Sequence, residues 1–253
     1  MGIVTTLANP TRFMKLTAIL LPITVSLAVI LTLVGLYMAF FVAPEDYQQG
    51  QTVRIMFIHV PSAWLAMFSY TLMTFSAIGT LVWKHPLADV SAKAAAPLGA
   101  AFALLTLVTG SLWGKPTWGT WWIWDARLTS VLVLFIMYLG LIALWNVIEE
   151  PAKAAKATAV MILVGFINIP IIKFSVDWWN TLHQPASVLR LDGPTIHFDI
   201  LIPLLVMAFA FTFIFMSLHF MAMRNEVMRR RVRSLQSRAA FEASTNDLQQ
   251  AAE

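Results

Sequence analysis

The chain has 253 residues, 59% of them hydrophobic and only 12% charged, where a soluble domain carries about 25% charged residues; this excludes a water-soluble globular enzyme and implies a polytopic membrane protein. The formal net charge of +4 is spread over loop ends rather than gathered on a soluble module, so it reports membrane topology and argues against nucleic acid as a partner. There is no cysteine, which excludes disulfides, thiolate metal ligands, thioether attachment to the chain and cysteine nucleophiles, and leaves His, Met or oxygen as ligands for any bound metal or cofactor.

Runs of about 20 apolar residues cross the hydrocarbon core as helices, and the sequence predicts six, at roughly 17–42, 55–83, 94–113, 128–148, 157–176 and 200–223. The first run is too long for the core of a signal peptide, and Val42-Ala43-Pro44 makes a poor processing site, so this run is expected to stay as an anchor. The N-terminus, the second and fourth loops and the tail together hold twelve Lys and Arg, while the other side holds four: Arg54, Lys115, Arg127 and Arg190. The positive-inside rule therefore places both termini in the cytoplasm and the loops 43–54, 114–127 and 177–199 outside. The expected fold is an all-α polytopic membrane protein of six transmembrane helices. Residues 1–223 form the membrane domain, and residues 224–253 a basic, polar cytoplasmic tail that extends as a fraying helix. No repeat of 20 to 50 residues is visible, and no phosphate-binding loop of the G-x-x-x-x-G-K-[ST] type, so this chain is not an ATPase by itself.

The outer loops hold the residues capable of chemistry. The stretch W-G-T-W-W-I-W-D-A-R, residues 118–127, contains four tryptophans, and Trp113 precedes it. If this stretch is helical, Trp118, Trp121, Trp122 and Asp125 share one face and Trp124 points elsewhere. An aromatic belt at the headgroup level is one reading; a platform for a flat, conjugated ligand is the other, favoured by the number of rings and by Trp178-Trp179 in the next outer loop. His59, near the outer end of span two, and His183, in the third outer loop, lie on the tryptophan side, and two neutral imidazoles on facing segments could clamp a porphyrin iron. Pro61 loosens the helix beside His59 by leaving the Phe57 carbonyl without its helical N–H. His197 is also outer and is the substitute should either fail, whereas His85 and His219 are inner and are expected to be solvated or interfacial. Arg54 and Arg127 could each pair with a carboxylate such as a haem propionate. Asp125 is expected to pair with Arg127 or to cap the next span. Asn168 and Lys173, around Pro170 in span five, are assigned no chemistry, Lys173 being free to snorkel.

The segment W-G-T-W-W-I-W-D-A-R-L-T-S, with a histidine in each flanking outer region and six spans, resembles the WWD family of haem-handling proteins over nearly the full length, and in particular its short members in bacterial cytochrome c maturation. The resemblance implies haem b bound at the periplasmic face of the inner membrane, with His59 and His183 as axial ligands. It implies that Trp113, Trp118, Trp121, Trp122, Trp124 and Asp125 contact haem and a periplasmic haem chaperone, cytochrome c maturation protein E. It also implies that ATP is supplied by an ABC transporter of A and B subunits with a small D subunit, and that this chain assists haem attachment to the chaperone rather than acting as a free-standing enzyme. Two alternatives of other classes stay open on sequence alone: a b-type cytochrome subunit passing electrons to quinone, and a permease or scaffold subunit whose tryptophans only anchor it in the lipid.

Overall fold

The structure, a computed structural model, describes residues 9–185, 187, 188 and 190–250, the last seven as backbone alone. The parts of the expected membrane domain at residues 1–8, 186 and 189, and of the tail at 251–253, lie outside the described residues. Seven helices follow in chain order: α1 (Pro10–Tyr37), α2 (Met56–Val82), α3 (Ala88–Trp118), α4 (Ala126–Val147), α5 (Pro151–Gly165), α6 (Asn168–Trp178) and α7 (Phe198–Gln250). A π-helical turn, Met38–Val42, ends α1, and a 3₁₀ turn, Gln51–Ile55, leads into α2. With α5 and α6 counted as one, these make six spans long and apolar enough to cross a membrane. The expected all-α, six-span architecture is what the chain adopts.

Local chemistry sets the ends of these helices. The Asn9 side chain accepts from the Thr11 and Arg12 amides, at 2.9 and 3.4 Å, and Pro10 supplies the preset φ of a first helical residue. Asp125 caps α4 by accepting the Leu128 amide at 2.7 Å. Gly119 stops α3: its φ of 78° is left-handed, and its amide closes on the Lys115 carbonyl at 3.1 Å.

α2 and α3 form the centre of the bundle, and the pair packs closely because its shared face is built of small residues such as Ala66, Ala77, Ala95, Ala96 and Ala103, all almost fully buried. Between membrane helices dispersion and shape complementarity replace the hydrophobic effect, so small residues that let backbones approach do the holding. Gly99 accepts the ring of Tyr138 from α4, whose hydroxyl donates to the Ala66 carbonyl of α2 at 2.7 Å. α4 packs on α3, α5 and α6, while α7 packs against α1, α2 and α3. α1 keeps a broad apolar face bare, Ile19, Ile30 and Leu33 among it, as a lipid-facing helix does.

Contacts far apart in sequence tie one end of the bundle together. Arg230 pairs with Asp89 at 2.7 Å and with Glu226 at 3.0 Å, Lys93 reaches Glu226 at 3.3 Å, and Arg224 donates to the Met14 carbonyl at 2.8 Å. The start of α1, the start of α3 and the middle of α7 therefore share this end. The connections 43–50 and 119–125 and the described residues of 179–197 meet at the other, where Gln49, Trp122 and His183 line one cavity.

Four expectations need correction. Span five is broken: Pro170 has no amide to give the Phe166 carbonyl, which takes the Ile169 amide at 3.0 Å instead, and Asn168 fastens the break by donating to the Ser130 carbonyl of α4 at 2.9 Å. Span three runs five residues past its expected end, to Trp118. The residues after it are not helical, so the shared face of Trp118, Trp121, Trp122 and Asp125 does not form; the left-handed Gly119 turns the chain away. His219 is buried rather than solvated, stacked on Phe215 with its Nε2 3.2 Å from the Ser91 hydroxyl.

Because a Cβ on residue 99 would collide with the Tyr138 ring, Gly99→Ala is expected to destabilise the bundle by roughly 1–3 kcal/mol. Thermal unfolding in detergent measures this; an unchanged midpoint would mean that α3 and α4 slide apart without cost.

Candidate functional site

The three connections at the far end from the Arg230 cluster surround a cavity of about 260 Å³. Its walls come from α2, α3, the first turns of α4, α6, and α7, closed over by His183, Gln184 and Pro185 of the last connection. Much of the lining is apolar, through residues such as Val60, Met67, Leu107, Val131 and Leu204.

His59 enters from α2, one turn inside the membrane end of the helix, and is 9% exposed. Gly110 of α3 makes room for it, since a Cβ there would stand 3.0 Å from the imidazole Cε1. Its Nδ1 lies 3.0 Å from the Thr109 hydroxyl. That hydroxyl has one proton, given to the Leu105 carbonyl at 2.6 Å, so towards His59 it accepts. With the hydroxyl proton on that carbonyl, Nδ1 carries the imidazole proton and Nε2 keeps the lone pair.

His183 lies on the 179–197 connection, and the same tautomer follows from different partners. Its Nδ1 donates to the Gln184 carbonyl at 2.9 Å. The Arg127 guanidinium, which can only donate, approaches that nitrogen at 3.4 Å; the shorter contact to an acceptor decides the proton's place. Burial lowers the pKa of His183 below the ordinary imidazole value, and the Arg127 charge lowers it further, against the smaller opposing effects of the Gln184 carbonyl and Asp125. Both imidazoles thus line one cavity with Nδ1 engaged in a hydrogen bond, and burial with the Arg127 charge disfavours the charged form of His183.

Three of the motif tryptophans line the cavity. Trp113 meets His59 edge to face at 5.6 Å and donates to Gln49 Oε1 at 2.9 Å, Trp118 lies 6.3 Å from the His183 ring, and Trp122 has a buried indole N–H with no partner among the described residues. Trp121 and Trp124 do not line it and are 54% and 74% exposed, joined at the same end by the exposed Trp178 and Trp179. The loop that divides the rings is pinned back on α3, where Ser111 donates to the Trp121 carbonyl at 2.7 Å.

The charged residues separate as well. Arg127 lines the cavity while tethering α4 to α6, through Ser175 at 3.1 Å and the Lys173 carbonyl at 3.2 Å. Arg54 lies outside the lining: it donates to the Ala39 carbonyl at 3.1 Å, and to the Phe40 carbonyl and Gln51, fastening the turn that presents Gln49 to Trp113. Asp125 also stands outside the lining, as cap of α4 and acceptor of the Thr181 hydroxyl. His197 is exposed, 3.5 Å from Asp199, and takes no part in the cavity.

The heme exporter protein C family matches residues 3–238. The chain belongs to that family. Relatives include heme exporter protein C of Bradyrhizobium diazoefficiens, 65% identical over 93% of this chain and 90% of its own length. That of Escherichia coli is 42% identical over 88% and 89%, and that of Paracoccus denitrificans 41% over 91% and 96%. The resemblance read from the tryptophan stretch is thus borne out.

In this heme exporter protein C member, Thr109, Gly110, Gln49 and Thr181 are site residues that sequence reasoning passed over, and Lys173, left without chemistry, lines the cavity. One signal was available: Thr106, Gly110 and Gly114 recur at four-residue spacing on the face of α3 that carries Trp113, a small and polar stripe inside an apolar span.

Since the Arg127 charge lowers the His183 pKa, Arg127→Gln is expected to let His183 take its second ring proton at a higher pH than in the wild type. Titration of ¹⁵N-histidine resonances in haem-free protein reads this. A midpoint that stays put or falls would show that the guanidinium does not act on the ring.

Proposed function

We propose that this chain binds haem b between His59 and His183 at the periplasmic face of the inner membrane and delivers it to a periplasmic haem chaperone. The observation that carries the reading is a single apolar cavity lined by two histidines from separate segments, each with Nδ1 engaged, and walled by Trp113, Trp118 and Trp122. The residues fit a porphyrin: neutral imidazole Nε2 is an axial haem ligand, and a second-shell acceptor on the other ring nitrogen fixes the tautomer and raises basicity. A free metal ion fits less well, because no group of three or more His, Asp or Glu that could hold one exists among the described residues. Haem, when bound, would supply the iron and the vinyl and propionate edges on which delivery acts.

The protein's own residues would then divide the work. His59, fixed on a helix and bonded to Thr109, sets where the iron sits. His183, on a connection, gives a second bond that can open without unpacking a membrane helix. A cavity of about 260 Å³ is small beside the roughly 300–1,000 Å³ of a typical ligand pocket, so a macrocycle held there would keep an edge outside, available to another protein. Arg127 and Lys173 line the cavity and are the cations placed to hold a propionate; Arg54, bound to the end of α1, is placed to hold the Gln49 turn.

The exposed rings of Trp121, Trp124, Trp178 and Trp179 are the surface we assign to the chaperone, cytochrome c maturation protein E. The positive-inside charge bias supports the orientation, with the haem end in the periplasm and residues 224–253 in the cytoplasm, and the family name supports a role in haem export; the ATP-using partner of this reading is an ABC transporter of A, B and small D subunits.

Two experiments test this. His59→Gly and His183→Gly should each lower haem retained on purification, and added imidazole should restore part of it by filling the vacated position; absorption spectra and haem content that stay unchanged in both variants would refute the ligand assignment. The division of the tryptophans gives the second. Trp118→Ala with Trp122→Ala should lower haem retention, whereas Trp121→Ala with Trp124→Ala should leave haem bound and lower its covalent transfer to the chaperone. Equal effects of the two pairs on retention would contradict separate roles.

A further inference from the structure

Among its described residues, the connection carrying His183 has no regular secondary structure from Trp179 to His197, yet a ligand must stand in one place to bind. The Trp179 amide bonds to the Ser175 carbonyl at 3.0 Å at its start, and the Thr195 amide to the Ser187 carbonyl at 2.9 Å near its far end. Between them, the His183 amide donates to the Thr181 hydroxyl at 3.1 Å. By itself this is an ordinary two-residue side-chain turn. The hydroxyl proton, however, goes to Asp125 Oδ2, 56 positions away in sequence, while Asp125 Oδ1 accepts the Leu128 amide at 2.7 Å. Among the described residues, this chain of bonds and the 3.4 Å approach of Arg127 are the polar contacts that fasten residues 180–185 to a helix.

From this geometry we propose that Thr181 is a positioning residue for His183, registering the histidine connection against the N-terminus of α4 through Asp125. The inference rests on His183 being a haem ligand. A hydroxyl suits the task because it can donate and accept at once: its proton meets a carboxylate, which makes a charge-assisted bond, and its lone pair takes the histidine amide. Asp125 is anchored in turn, since its other oxygen caps a membrane helix. The result is a loop tied at one residue, two positions from the ligand, to a rigid element that also carries Arg127. The tie orders the backbone beside the ligand. Valine has the shape of threonine without the hydroxyl, and serine keeps the hydroxyl, so the pair separates hydrogen bonding from packing.

The test uses the full-length protein in detergent, with and without haem. In haem-free protein, Thr181→Val should speed amide exchange at His183 about tenfold, as expected for loss of a charge-assisted bond, while Thr181→Ser exchanges as the wild type does. In haem-loaded protein, Thr181→Val should lose six-coordinate absorption in favour of five-coordinate, added imidazole should restore it, and Thr181→Ser should keep it. Wild-type exchange and spectrum in Thr181→Val would overturn the positioning role, as would a spectral loss that imidazole does not repair. Fast exchange in Thr181→Val, together with a His183→Gly variant whose spectrum is that of the wild type, would instead overturn His183 as a ligand and leave the tether standing.

Discussion

The rest of the site depends on where one proton sits in each of two imidazole rings. A histidine offers iron a lone pair only from the nitrogen that lacks the proton, so the partner of the other ring nitrogen decides which face of the ring can bind. For His59 the Thr109 hydroxyl does so, its own proton committed to the Leu105 carbonyl. For His183 the Gln184 carbonyl does so, with the Arg127 guanidinium close enough to oppose a second proton. Gly110, which leaves space for one ring, and Asp125, which holds the loop of the other through Thr181, serve this same requirement.

The two histidines are held unequally, and this inequality suits the proposed role of holding haem and passing it on. His59 is buried in a helix at the centre of the bundle, where movement would disturb the packing of α2 on α3. His183 is on a connection held by a few hydrogen bonds, the kind of segment that opens at small cost. The broken span supports the same end of the molecule: Asn168 pins the break to α4, and α6 then carries Ser175 and the Lys173 carbonyl to Arg127. At the opposite end the ion pairs among Asp89, Lys93, Glu226 and Arg230 hold α3 to α7, so the bundle is clamped away from its cavity.

Much of this was legible in the sequence, because long apolar runs have one physical solution in lipid. Six spans, the placing of His59 and His183 at one end and the capping role of Asp125 follow from composition, spacing and capping chemistry. What could not be read came from the third dimension. A helical wheel over residues 118–125 assumes a helix, and a single left-handed glycine removed it, sending Trp118 and Trp122 inward and Trp121 and Trp124 outward. Arg54 has the charge and position of a carboxylate partner, but only the packing reveals that its donors go to the carbonyls ending α1. His219 looked solvated or interfacial by depth, and its burial follows from Phe215, one turn back on α7, and Ser91 of α3.

The central claim is that two neutral histidines, one from a helix and one from a connection, face each other across one haem. Low-temperature electron paramagnetic resonance of the purified, oxidised, haem-loaded wild-type protein, paired with near-infrared magnetic circular dichroism, tests it most directly. The account predicts a low-spin ferric centre whose charge-transfer band marks two imidazole ligands. A high-spin, five-coordinate centre, or a low-spin centre with a non-imidazole second ligand, would contradict it.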